Sequence, residues 1–102
     1  MQEVILKAND TELIYELSGE IASENAEEFY EEVMRGYNAE PKDVVFCCSA
    51  LEFIDSTTLG TFVKIFKTLK GAGHTLRIRE LQPRLKKLFE ICALDRMMEI
   101  ES

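Results

Sequence analysis

The chain has no apolar run long enough to cross a bilayer, a single histidine, three cysteines and few bases in its first half. Each shortage removes a class of function. A membrane-spanning helix takes about 20 consecutive apolar residues, and the opening Met1-Gln2-Glu3 lacks the basic start and apolar stretch of a secretory signal. A cytoplasmic protein with no membrane span is therefore expected. Structural metal sites need four converging ligands, and with His74 as the only histidine neither a metal nor another cofactor is expected. Three cysteines cannot all pair. Cys47 and Cys48 sit in an apolar run and Cys92 lies on a helical apolar face, so all three read as small hydrophobic side chains. Residues 1–55 carry fourteen acids against three bases and residues 56–102 five acids against nine bases, for a net charge of −7. That acidity argues against nucleic acid, whose affinity for proteins comes chiefly from Lys and Arg neutralising phosphates. The Gly-x-Ser-x-Gly elbow, the Walker-type phosphate loop and the paired histidines of metal hydrolysis are all missing. No enzyme is expected, and no residue is assigned a catalytic role.

What is present suits one compact domain over residues 1–102, since 102 residues, 46% of them hydrophobic, can close one core. Val4–Ala8 and Glu12–Gly19 read as two strands around the polar turn Asn9-Asp10-Thr11, with Leu13, Tyr15 and Leu17 alternating toward the core and Gly19 ending the second strand. Asn25 is the expected N-cap of a helix from Ala26 to about Tyr37, and Glu28 nearly completes a capping box. Its inner stripe is Ala26, Phe29, Tyr30, Val33 and Tyr37. The acids around it read as a solvated face. Asp43–Ala50, with Val44, Val45, Phe46, Cys47 and Cys48 in one run, has the pattern of a central strand buried on both faces. A second helix ends at Lys70 and carries Leu59, Phe62, Val63, Phe66 and Leu69 at helical spacing. His74–Glu80 alternates like a strand, with His74 as a solvated loop residue at its start. Pro83 suits the first turn of a third helix with a stripe of Leu85, Leu88, Phe89 and Cys92. Phe66 and Leu88 are expected to pack in the core, and the apolar tail Leu94–Ile100 to stay packed. This order predicts an α/β fold: a small mixed sheet of four to five strands with helices packed against it.

Between the central strand and the second helix lies Leu51-Glu52-Phe53-Ile54-Asp55-Ser56-Thr57-Thr58-Leu59-Gly60. A hydroxyl in the first turn of a helix stands near unsatisfied N–H groups and the positive end of the dipole, where an added phosphate is well placed. Asp55 and Ser56 are also ordinary helix-capping residues. Both roles fit the same turn.

Phe53-Ile54-Asp55-Ser56-Thr57-Thr58-Leu59-Gly60, with Gly71-Ala72-Gly73 after the helix, resembles the signature of the STAS domain, specifically of bacterial anti-sigma factor antagonists. Gly19-Glu20-Ile21, Asn25-Ala26 and Phe89-Glu90-Ile91-Cys92-Ala93-Leu94-Asp95 extend the likeness over almost the whole chain. The resemblance implies a protein-binding switch. An anti-sigma factor that is also a serine kinase would bind it when Ser56 is unphosphorylated and release it when Ser56 carries phosphate. Asp55, Ser56, Thr57, Thr58, Leu59 and Gly60 would form the docking surface. Three positions depart from the family pattern: Thr58 stands where glycine is usual, Ala22 where an acid is usual near the phosphorylated serine, and Ala93 where glycine is frequent. These bear on phosphorylation more than on docking. The competing expectation is a STAS subunit that binds constitutively within an assembly such as a lipid-transport ABC complex.

Overall fold

Asn9 sets the first reversal of the chain. Its side-chain oxygen accepts from the backbone N–H groups of Thr11 (2.9 Å) and Glu12 (2.7 Å), an Asx turn of the kind this residue favours. The computed structural model describes residues 3–101. In chain order these form β1 (Glu3–Ala8), β2 (Glu12–Ile21), α1 (Ala26–Ala39), β3 (Asp43–Ile54), α2 (Ser56–Gly71), β4 (Leu76–Arg79), α3 (Pro83–Ile91), a 3-10 turn (Leu94–Arg96) and β5 (Glu99–Glu101). The sheet runs β1-β2-β3-β4-β5, with β1 antiparallel to β2 and every later pair parallel. Each parallel pair is joined through a helix, as its geometry requires.

Alternation decides which side chains turn inward. Leu13, Tyr15 and Leu17 of β2, Val44, Phe46 and Cys48 of β3, and Leu76 and Ile78 of β4 meet Phe29 and Val33 of α1, Phe62, Ile65 and Leu69 of α2, and Leu85 and Phe89 of α3 in one core. Phe46 is its hub, with ring centroids 5.2 Å from Phe62, 5.5 Å from Phe29 and 5.9 Å from Tyr15. Truncating a buried aromatic of this kind to alanine costs about 3–5 kcal/mol. Burial pushes the Tyr15 phenol up to about 12, and its hydroxyl donates to the Val33 carbonyl oxygen at 2.9 Å.

The central strand is covered on one face only, not two. All three helices share the core face, while the opposite face carries the ion pairs Lys7–Glu16, Arg77–Glu12, Arg77–Glu99 and Arg79–Glu101. Cys47 lies on that open face and is half-buried. Val45 is fully buried there, between its register neighbours Ile14 and Arg77. Other expectations shift for local reasons. Gly19 does not end β2: at φ 72 it sits beside a register shift and lets the strand run on to Ile21. Phe66 and Leu88 are half-buried because Ile65, Leu85 and Phe89 take the inner positions. Cys92 caps the C-terminus of α3 and is exposed. His74 is not simply solvated, since its Nδ1 lies 2.7 Å from the Tyr37 hydroxyl. The tail stays packed through Leu94 and Met98 and supplies the fifth strand.

Candidate partner-binding site

Strand β3 ends at the buried Ile54, and Asp55 stays extended (φ −120, ψ −174) as the N-cap of α2. One carboxylate oxygen accepts from the Thr58 backbone N–H at 3.0 Å and lies 3.0 Å from the Thr58 hydroxyl. The other accepts from the Ser23 backbone N–H at 2.9 Å. Asp55 thus caps its own helix and fastens the loop between β2 and α1 to it. The Thr58 N–H above all, then those of Ser23 and the Thr58 hydroxyl, hold its carboxyl below the usual range against a smaller opposing effect of desolvation.

The six residues expected to dock a partner divide into two sets. Ser56, Thr57 and Gly60 are exposed on the outer face of the first turns of α2. Asp55 is half-buried at the cap and Leu59 is buried at the rim of the core. Thr58 is 0% exposed, and its hydroxyl donates to the carbonyl oxygen of Ile21, the last residue of β2. It serves the fold rather than the surface, so it does not stand over Ser56. Helical spacing carried that signal, because Thr58 precedes the buried Phe62, Ile65 and Leu69 by four, seven and eleven positions.

Three neighbours lay outside the sequence-based site. Ser23 contributes only its backbone, which no pattern marks. Phe53, at the end of β3, leaves its ring 45% exposed beside the helix start. Arg84, in the first turn of α3, donates to the Glu52 carbonyl oxygen. Among the described residues no cluster of His, Cys, Asp or Glu is arranged to hold a metal ion, and no helix is long and apolar enough to cross a membrane.

The family model described as the STAS domain matches residues 3–102. The chain belongs to the STAS family. It is 30% identical over 99 residues to a Bacillus subtilis protein named anti-sigma-B factor antagonist, covering 97% of this chain and 90% of that one. The crystal structure of a proposed anti-sigma factor antagonist from Thermotoga maritima superposes with a TM-score of 0.90 at 25% identity, over 97% of this chain and 86% of that chain. An anti-sigma factor antagonist from Mycobacterium paratuberculosis, at 20% identity, shares the fold with a TM-score of 0.84 over 99% of this chain and 86% of that one. Within this STAS chain the three departures now have places. Thr58 is the buried tie to β2. Ala22 sits in the loop that Ser23 fastens to Asp55, its own N–H donating to the Asn25 side chain at 2.8 Å. Ala93 holds a left-handed conformation (φ 58, ψ 23), which explains why glycine suits that position.

Proposed function

We propose that this STAS chain is an anti-sigma factor antagonist that binds an anti-sigma factor through the outer face of the α2 start and is switched off by phosphate on Ser56. The observation that carries this reading is the division within one turn: Ser56 exposed at the first helical position, Asp55 and Thr58 turned inward to hold it in place. Phosphorylation adds close to two negative charges and three acceptor oxygens. A helix N-terminus absorbs part of that charge, but here the Asp55 carboxylate beside Ser56 already takes the Thr58 N–H. The new charge and bulk are therefore presented outward, to whatever lies on Ser56. The fold would be spared and the interface would not.

The relatives' names support an anti-sigma factor as the partner, and the exposed Ser56 hydroxyl is open to a serine kinase. The test is binding of a purified anti-sigma factor kinase from the same cell to wild type, Ser56→Ala and Ser56→Asp. Ser56→Ala binds like wild type and takes no phosphate. Ser56→Asp melts like wild type and binds about a hundredfold more weakly, a loss of about 3 kcal/mol. A Ser56→Asp variant that binds as tightly as wild type, with no phosphate on Ser56 by mass spectrometry, overturns the switch. Ala22, where the family resemblance implies an acid close to Ser56, favours the second reading of a constitutive STAS subunit. That protein would give this last result.

A further inference from the structure

Two glycines lie in helix interiors, away from the terminal Gly71, where alanine is the better helix former. At Gly36 of α1 the reason is internal: a Cβ there would collide with the Tyr15 hydroxyl. At Gly60 of α2 no internal reason exists. Its backbone is ordinary helix, it is exposed, and an added Cβ would meet nothing within 4 Å. Gly60 is one turn beyond Ser56, so the two share the outward face. Next to that face a groove of about 320 Å³ opens between α1 and α2, lined by Glu27, Tyr30, Glu31, Thr61 and Lys64. It carries two acids against one base. Lys64 is turned over the Tyr30 ring, 4.2 Å from the centroid, while the exposed Glu27 and Glu31 carboxylates form no ion pair with the described residues.

We infer that Gly60 marks the point of closest backbone approach by the protein partner, and that the α1–α2 groove takes a basic segment of that partner, its Lys or Arg side chains set over Glu27 and Glu31. The inference rests on the proposed docking role of the α2 start. A missing side chain admits a neighbouring backbone at a distance that any Cβ forbids. The acidic wall selects the sign of what approaches and speeds its arrival. A backbone seated on Gly60 leaves no room for a phosphate one turn away on Ser56. Release is then chiefly steric, because attraction between exposed charges is too weak to offset a clash in a packed contact.

The experiment titrates the purified anti-sigma factor kinase by calorimetry into wild type, Gly60→Ala, Gly60→Leu, the double variant Glu27→Lys/Glu31→Lys, and Glu90→Lys as a charge reversal on α3. Gly60→Ala melts higher than wild type yet binds about tenfold more weakly, and Gly60→Leu loses more. The double variant loses about tenfold, mostly in association rate, and its binding depends less on salt. Glu90→Lys binds like wild type. If wild type binds and Gly60→Leu binds equally well, the inference is overturned while the antagonist reading stands. If the double variant binds as wild type, the basic segment is wrong. If wild type itself does not bind, both fall.

Discussion

The two helix starts on this side of the molecule use the same kind of residue in opposite ways. At α2, Asp55 bonds forward into its own helix and sideways to Ser23. At α1, Asn25 occupies the N-cap but makes no side-chain cap bond; it turns back, accepting from the Ala22 N–H at 2.8 Å and donating to the Glu20 carbonyl at 2.9 Å. One residue fixes a helix and the other fixes a loop. The loop that Asn25 shapes is the one Asp55 grips, so together they set the surface around Ser56.

Removing either residue tests this difference. Asp55→Ala is the larger insult, because it uncaps α2 and releases the loop that Ser23 ties to it. A loss of about 3 kcal/mol in denaturant unfolding is expected, with partner binding abolished. Thr58→Gly comes next, at about 2 kcal/mol, from the helix cost of glycine and the unpaired Ile21 carbonyl. It leaves the phosphorylation rate of Ser56 nearly unchanged, because Thr58 points inward; a marked rise would contradict that orientation. Asn25→Ala is the smallest, about 1 kcal/mol, and amides of the first turn of α1 should exchange no faster than before. The pH profiles sharpen the contrast. The Asp55 carboxyl is held below its ordinary value when folded, so its contribution is fully present above the unfolded value of about 4 and is lost as pH falls through the folded one. The cost of Asp55→Ala therefore shrinks in acid, whereas that of Asn25→Ala stays level across the same range.

The periodic parts of the fold were legible. Alternation over Leu13, Tyr15 and Leu17 and the stripes of α1 and α2 placed their elements, because burial of a repeating face is a local pattern. What escaped depended on partners distant in sequence. Val45 made β3 look covered on both sides, yet its cover is two neighbouring strands and not a second layer of helices. Tyr37 meets His74 across 37 positions, which no spacing announces. Gly19 punctuates a strand in most contexts, but here the register shift absorbs it. Capping chemistry put Asp55 and Ser56 at the start of α2, where Asp55 is the residue that caps. Thr58 went to the wrong face because the motif Asp55–Gly60 was carried over from the resemblance as one surface, although its helical spacing already tied it to Phe62.

The unequal pairing of β3 has a consequence for motion. Its first half, Val44 to Cys47, is hydrogen-bonded between β2 and β4, but beyond Cys47 only β2 remains as a partner, through Ile54. The far half projects past β4 like a jetty, steadied on its free side where Arg84 reaches the Glu52 carbonyl. Amides in 49–53 that face the missing strand should therefore exchange with solvent through small local openings, while those of 44–47 wait for global unfolding. The residue proposed to be modified thus follows a stretch of β3 that only one neighbouring strand clamps, and the bonds of Asp55 and Thr58 to the β2–α1 side, rather than a second strand, fix where it stands.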